Sequence, residues 1–568
     1  MMPRHGRSVV SVAVLVCLAG AAPVAGAGER PAAVAIEDAP PLFEGMGPHK
    51  RKVTTTSAEA QQYFDQGLTW TYAFNHDEAT RSFRHAAKLD PQCAMAWWGI
   101  ALVNGPHINN PVMDEEHSRI CWDALQQALA LRDKASPVER ALIEALAARY
   151  ADPAAGKLPL TFEERAPLDR AYAEAMTRVY EQFPDDSDVA TLYAEAWMDT
   201  RPWDLWDPVT GEPRPETPAI IAALEHALKI NPDHPGANHY YIHAVEASRT
   251  PERANAAADR LRTLVPASSH LVHMPSHIDV RTGRWALAAH QNREASKAAA
   301  AYRKISPKQG FYRVYMAHND HFLAYACMML GRSEEALAAA RAMLDAIPQQ
   351  WAEENAVLLD GYAGIEIEAL IRFGRWDEVL ELRPPPKYLP ITTALWRFGR
   401  ATALAAKGEV EEALKEQQKF REAVKAVPEG AILVINPAEK VLAIAEHTLS
   451  GEIAFRRGQI DEAVSELRKA VEIEDSLLYM EPPDWIQPVR HSLGAVLTAA
   501  ERFEEAEKVY REDLERWPEN GWALYGLWRC LAEQGSDEAP AVRKRFEKAW
   551  EHADTEIWAT CLCVTKAE

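Results

Sequence analysis

The sequence predicts an all-α protein built from repeated helix pairs, an α-solenoid. Segments rich in Ala, Leu, Glu and Arg, with apolar positions spaced as on a helix, fill almost the whole of the 568 residues. Alternating runs of Val, Ile and Thr, which are typical of strands, are missing. Small residues also recur twelve positions apart and are followed by a proline, as at Gly67, Ala79 and Pro91. This fixed period indicates that each helix pair packs on the next.

The first element is a predicted export signal. Arg4 and Arg7 precede an apolar run, and Ala25-Gly26-Ala27 offers the small residues of a cleavage site, so residues 1–27 are predicted to be a signal peptide. The mature protein is therefore expected in the periplasm or outside the cell. Residues 28–56 are predicted to be a flexible segment. We expect no membrane span, because no other apolar run reaches the ~18 residues that a span needs.

The second element is the repeat body, predicted over residues 57–553, with a tail over 554–568. Its spacing resembles the tetratricopeptide (TPR) repeat, in which helix A, a glycine turn and helix B recur with a fixed period. The resemblance implies a right-handed superhelix of roughly ten or eleven repeats, some of them degenerate. Departures from the period predict insertions near 104–117, 151–165 and 199–218. The predicted glycine turns between helices A and B are at Gly283, Gly331, Gly374, Gly408 and Gly458.

Composition limits the classes of function. The signal holds two of the 62 basic residues and none of the 83 acidic ones, so the mature chain has a net charge of −23. Such a surface disfavours nucleic acid as a partner. The six cysteines of the mature chain are too sparse for a disulfide framework. The sequence contains no P-loop, G-x-S-x-G, H-E-x-x-H or G-x-G-x-x-G motif.

Histidines are concentrated in three consecutive predicted helices A, in the segments NHYYIHAVE, HLVHMPSHID and HNDHF. In TPR superhelices, positions 2, 5, 9 and 12 of helix A face the concave groove, and the resemblance carries this assignment to the present chain. The repeat register, set by Gly, Ala and Pro alone, places seven histidines and one carboxylate at such positions. These residues are His239, His243, Glu246, His270, His273, His277, His318 and His321.

These eight residues predict a transition-metal site in the groove. Histidines four residues apart project from one face of a helix, so that both rings can reach one ion. His239, His243 and Glu246 give the two-histidine, one-carboxylate set of zinc hydrolases and non-haem iron enzymes. Imidazole donors suit copper, zinc or iron, and one or two ions would be satisfied by this number of ligands.

Further residues are assigned roles around that site. With an open coordination position, metal-activated hydrolysis or oxidation would be possible, so a hydrolase and an oxidase or oxygenase are both left open. Glu246 and Tyr325 are the candidate proton-transfer groups for such catalysis. The predicted groove or outer residues are Asn238, Asn319, Met328, His107 and His491.

The motifs NHxxIHxxE, HMPSHI, HNxHF and EPPxWxxPVR resemble those of a bacterial family of exported TPR proteins. The resemblance covers nearly the whole mature chain, and HMPSHI is its most specific part. It implies export and a TPR superhelix, and it implies no particular activity. The alternative to a metal site is therefore an interaction module that binds an extended peptide or protein partner in the groove without metal.

Overall fold

The structure is a computed structural model that describes residues 39–154, 156, 158–307 and 309–564. The predicted signal peptide, 1–27, lies outside the described residues. Within the described part the chain is helical apart from one short strand pair, which confirms the all-α prediction. No helix in this part combines the length and the apolar character needed to cross a membrane.

The N-terminal repeats begin with helices that their own polar side chains cap. Ser57 accepts a hydrogen bond from the amide of Ala60, and Asn75 accepts one from the amide of Glu78. The helices of this part are α1 (Ala58–Tyr72), α2 (His76–Leu89), α3 (Ala94–Val103), α4 (Glu115–Leu131), α5 (Pro137–Leu146), α6 (Phe162–Gln182), α7 (Ser187–Met198) and α8 (Thr217–Ile230), with 3-10 turns at Arg132–Lys134 and Ala147–Arg149.

The middle repeats carry the histidine-rich segments. His234 caps the first of these helices, because its Nδ1 atom accepts from the amide of Ala237. Pro275 interrupts the second, because it lacks an amide hydrogen and ends one short helix at the start of the next. The helices are α9 (Pro235–Val245), α10 (Asn255–Leu264), α11 (Ser269–His273), α12 (Pro275–Arg281), α13 (Trp285–Ile305), α14 (Tyr312–Met329) and α15 (Ser333–Asp345), with a 3-10 turn at Pro251–Ala254.

The C-terminal repeats contain the only strands of the described chain, a two-residue antiparallel pair that joins two helix pairs. The elements are α16 (Gln349–Glu354), α17 (Ala356–Leu359), α18 (Ile365–Arg372), α19 (Trp376–Glu381), α20 (Pro390–Ala406), α21 (Val410–Lys425), β1 (Ile432–Leu433), β2 (Asn436–Pro437), α22 (Ala438–Arg456), α23 (Ile460–Asp475), α24 (Val489–Ala499), α25 (Phe503–Arg516), α26 (Gly521–Glu533) and α27 (Ala539–Ala549).

The helix pairs have the packing expected of a TPR-type α-solenoid. All five predicted turn glycines have positive φ, between 63° and 83°, the left-handed conformation that ends a helix. Small residues bring the two helices of a pair together, since a Cβ atom on Gly67 would lie 2.8 Å from the ring of Phe83. The TPR-type solenoid is therefore confirmed. Loops lie at the three predicted insertions.

The superhelix is wound so tightly that distant repeats meet around the middle of the chain. The hydroxyl of Tyr302 in α13 donates to Glu78 in α2, at 2.9 Å. The indole of Trp522 in α26 donates to the backbone oxygen of Met328 in α14, at 2.8 Å. The histidine-rich helices are thus enclosed by repeats from both ends of the chain.

Both terminal segments of the described chain pack on the repeats. Residues 39–56, which the sequence analysis assigns to a flexible segment, place Arg51 within 3.0 Å of Asp188 and 2.9 Å of Asp186. A buried guanidinium between two carboxylates ties this segment to α7, which is a contact that local composition does not indicate. At the other end, Asp554 accepts from the amide of Ser333 at the start of α15, at 2.6 Å.

Candidate metal centre

Six of the seven predicted histidine ligands form two compact groups. Within each group, the nitrogen atoms that could bind a metal lie within 4.8 Å of one another. Each side chain is at least 93% buried. The first triad is His239, His243 and His270, and the second triad is His273, His277 and His318.

The two triads repeat one pattern of the solenoid. In the first, His239 and His243 lie one turn apart on α9, and His270 reaches them from α11. In the second, His273 and His277 lie one turn apart across the α11–α12 junction, and His318 completes the set from α14. Repeat positions 5 and 9 of one helix A therefore combine with position 2 of the next. The repeat register gives these positions from the sequence, but the packed helices show which positions combine.

Hydrogen bonds fix the tautomer of two rings in the first triad. The Nδ1 atom of His239 lies 2.7 Å from the backbone oxygen of Tyr72, which can only accept. The Nδ1 atom of His243 lies 2.9 Å from Oε1 of Glu246. Both Nδ1 atoms therefore carry the hydrogen, and both Nε2 atoms present a lone pair. These Nε2 atoms are 3.1 Å apart, and Nε2 of His270 is 3.1 Å from that of His239.

In the second triad, a hydrogen bond holds the ring of His273 and an ion-pair contact holds that of His277. The Nδ1 atom of His273 lies 2.7 Å from Oδ1 of Asn292, whose amide nitrogen donates to the backbone oxygen of Ala288 and so fixes the amide orientation. The Nδ1 atom of His277 lies 2.6 Å from Oε2 of Glu246. The Nε2 atoms of these two histidines are 2.8 Å apart. His318 completes the triad, with its ring centre 4.7 Å from that of His273.

Facing lone pairs need a positive charge between them. A shared proton is disfavoured, because burial lowers the pKa of His239 and His273 well below its usual value and the neighbouring imidazoles lower it further. A metal ion satisfies the same lone pairs. Nitrogen atoms bound at 2.0–2.1 Å to one tetrahedral ion are roughly 3.3 Å apart, so these close Nε2 pairs must open by only a few tenths of an ångström.

One phenylalanine covers each triad. The ring of Phe74 lies between 4.5 and 6.2 Å from the three rings of the first triad, measured between ring centres. The ring of Phe322 lies between 5.1 and 5.9 Å from the three rings of the second triad. An apolar cover excludes water and limits the ligands that can reach an ion.

Two carboxylates lie on the outer side of the triads. Burial opposes ionisation of Glu246, but the imidazoles of His277 and His243 hold its pKa at about 2. Because its oxygens face Nδ1 atoms, Glu246 is placed to orient one ring of each triad. Glu246, His277 and Glu481 also form a group of possible ligand atoms within 4.8 Å of one another, so the ligand role of Glu246 stays a prediction. Oε2 of Glu481 lies 3.4 Å from Nδ1 of His277, and burial together with Glu246 raises the pKa of this second carboxyl.

Sequence reasoning missed Glu481, Asn292 and the two phenylalanines. Glu481 opens the motif EPPDW, more than 150 positions after the last histidine-rich helix, and the superhelix brings it back to these helices. The motif was a signal that this segment is unusual, although it did not identify the carboxylate. Asn292 lies on α13, a helix B, so the groove positions of helix A do not include it.

The remaining predicted residues lie outside the triads. His321 packs its ring 4.9 Å from that of Tyr362. The buried hydroxyl of Tyr325, a predicted proton-transfer group, has no hydrogen-bond partner in the described chain, and its ring lies 6.0 Å from that of Phe322. The ring of His107 lies 4.3 Å from that of His76.

Of the four other predicted residues, two make polar contacts elsewhere and two are buried in α14. The amide nitrogen of Asn238 donates to the backbone oxygens of Pro232 and His234. His491 lies between Arg372, at 3.0 Å, and Asp513, at 2.9 Å. Asn319 and Met328 are buried in α14. In the described part of the chain, none of these side chains forms a hydrogen bond with a triad histidine.

A third histidine group shows how a structural cluster differs. His49 and His234 both place Nε2 at 3.1 Å from Oδ1 of Asp188. Because Nδ1 of His234 accepts from the amide of Ala237, its Nε2 atom carries the hydrogen and donates it to the carboxylate. The His234 ring therefore has no lone pair left for a metal, which distinguishes this cluster from the two triads.

Comparisons with known proteins add little to this picture. No protein-family model matches the chain, and no curated protein sequence matches it. Similar solved structures include human IFIT1 as a dimer with m7Gppp-AAAA, at 13% identity over 88% of this chain and 91% of that one, with a TM-score of 0.32. Yeast Tom70 is 11% identical over 87% of this chain and 93% of that one, with a TM-score of 0.25. At such scores the fold assignment rests on the helices described above.

Proposed function

We propose that this chain is an exported TPR-type metalloprotein that binds transition-metal ions at the two triads. One observation carries the proposal: in the first triad the lone pairs of two Nε2 atoms with fixed tautomers face each other at 3.1 Å, and in the second triad the corresponding Nε2 atoms are 2.8 Å apart. All six donors are imidazoles, a donor set that suits copper, zinc or iron. Partners fixed on the outer nitrogen atoms are the usual support of a histidine ligand.

The alternative, a groove that binds an extended peptide, is less well supported at these residues. The seven predicted groove histidines expose at most 7% of their surface. Phe74 covers the first triad from an N-terminal repeat, and Glu481 approaches the second from a C-terminal repeat. The chain's own side chains thus occupy the space that an extended partner would need.

Metal analysis of the full-length protein, purified from its exported form without a histidine tag, tests the proposal. We expect close to two ions per chain, as isolated or after reconstitution. His243→Ala and His277→Ala should each lower the metal content and the melting temperature together, because an ion that binds only the folded state stabilises it. His447→Ala is the matched control, since His447 is paired with Glu466 far from the triads.

Two outcomes would refute the metal proposal. One is metal below stoichiometry in all preparations with no rise on reconstitution. The other is an unchanged metal content in both triad variants when their helical circular dichroism is intact. Either outcome would favour the interaction module, whose partner would then have to bind elsewhere on the solenoid.

A further inference from the structure

The two triads are close enough for their ions to act as a pair. Ring centres within one triad are 4.7–6.5 Å apart, and rings of different triads fall in the same range, at 5.7 Å for His243 and His277 and 5.9 Å for His270 and His273. Glu246 contacts one ring of each triad through its two oxygens. Ions that share one small ligand in two-metal sites are about 3.5–4 Å apart.

The charge around the triads favours ions of low charge. An imidazole that binds an ion through Nε2 and keeps its Nδ1 hydrogen is neutral, and in the described chain Glu246 is the one carboxylate that contacts Nδ1 atoms of both triads. Two divalent ions would place four positive charges beside this shared carboxylate in a buried site, whereas two monovalent ions would place only two there.

Copper is the ion that meets these conditions. Among the metals that imidazole donors suit, it has a stable monovalent state, and in the divalent state it binds nitrogen ligands most strongly of the first-row series. A non-haem iron site would place a carboxylate beside two histidines, but the carboxylate here lies on the Nδ1 side. Three histidines per ion leave one position free on each ion.

The space beside the triads selects a very small ligand. A cavity lined by His243, Glu246, Trp203 and Ile108 reaches the edge of the first triad and has a volume of about 20 Å³. A water molecule needs about 10–15 Å³, so the cavity has room for one molecule of about that size. The ring of Trp203 lies 5.3 Å from that of His243 and forms the outer wall.

We propose, on the basis of the metal-binding function above, that the triads hold a pair of copper(I) ions that bind dioxygen between them. Each copper(I) ion gives one electron, and dioxygen accepts both to become a bridging peroxide dianion. The oxygen–oxygen single bond stays intact, no proton is taken up, and no further reductant is needed. The total charge of the centre remains +2 throughout, which suits a buried site with one carboxylate.

The test measures dioxygen uptake and electron paramagnetic resonance of the full-length protein. The metal-free protein is loaded with copper(I) under argon, freed of excess copper and then exposed to dioxygen. We expect two copper ions per chain, one dioxygen molecule taken up for every two copper ions, and a copper(II) signal below a tenth of the total copper, because neighbouring spins couple. Loss of dioxygen under vacuum should restore the reduced state.

The variants separate a pair from two independent ions. His318→Ala removes a ligand of the second triad alone, so the folded variant should keep one copper ion per chain, take up at least tenfold less dioxygen and show the full copper(II) signal after oxidation. His117→Gln changes an exposed histidine and should behave as the wild type.

The possible failures are distinct. Two bound copper ions with no dioxygen uptake, or with a full copper(II) signal, would overturn the copper pair and leave the metal-binding function standing. One copper ion per chain, or binding of zinc but not of copper, would also overturn the copper pair and leave the metal-binding function standing. Absence of any bound metal would overturn both proposals.

Discussion

Glu246 should determine the metal affinity of both triads, because its two oxygens each hold one imidazole. Oε1 lies 2.9 Å from Nδ1 of His243, and Oε2 lies 2.6 Å from Nδ1 of His277. Removing the outer partner of a histidine ligand lowers metal affinity by about 10–100-fold. That factor corresponds to about 1.4–2.7 kcal/mol at each triad. Glu246→Gln should therefore weaken two sites at once.

Glu246→Gln should not affect the two triads equally. Glutamine offers one oxygen and one amino group, so it can accept from only one of the two Nδ1–H groups and presents hydrogens to the other. We expect one site to be weakened less than the other, which a competition titration with a chelator of known affinity resolves as two steps. Asn292→Leu is the matched comparison, because Asn292 contacts only His273 and should weaken only the second triad.

An unchanged affinity at both sites in Glu246→Gln would refute this reasoning. So would a loss in Asn292→Leu that is equal at the two triads. Circular dichroism and the melting temperature of the metal-free variants identify a general loss of structure, which would lower both affinities without regard to the outer partners.

Two further predictions concern stability. Gly236→Ala should destabilise the protein by about 1–3 kcal/mol, because its Cβ atom would lie 2.4 Å from the ring of Tyr72. Gly156→Ala, which adds a methyl group in open space, is the control. Equal melting temperatures of the two variants would contradict the packing. Burial raises the pKa of Glu452 to about 8, so the folded state keeps a proton that the unfolded state releases, and stability falls as pH rises from the ordinary glutamate value towards 8. The decline in the free energy of unfolding should be roughly 1 kcal/mol per pH unit. Glu452→Gln should remove it, whereas Glu439→Gln, on the exposed face of the same helix, should not. Parallel pH profiles of the free energy of unfolding in the two variants would refute this prediction.

The sequence predicts the solenoid because its determinants are local. A glycine turn, small residues at the helix contact and a period that repeats along the chain each act within one helix pair, as Gly67 and Phe83 show. Packing that depends on superhelical winding is not local. The segment 39–56 was therefore expected to be flexible, although Arg51 ties it to a carboxylate more than 130 positions away.

The candidate site was predictable to the extent that repeat register determines it. Register identifies the six histidines of the triads, since each is at a groove position of helix A. Register also includes His321, but position 9 of that repeat is Tyr325, so no histidine one turn later completes a pair. Apart from Glu246, the partners of the Nδ1 atoms come from outside the three helices A, namely from the carbonyl of Tyr72, from α13 and, for Glu481, from a distant repeat.

Anomalous X-ray diffraction from crystals of the reconstituted full-length protein tests the central claim most directly. Data collected on either side of the absorption edge of the bound metal locate the ions without reference to activity. The account predicts two anomalous peaks per chain, each about 2.0–2.1 Å from the Nε2 atoms of one triad. Crystals of metal-loaded protein with no peak at the triads, or with the peak between His49, His234 and Asp188 instead, would contradict it.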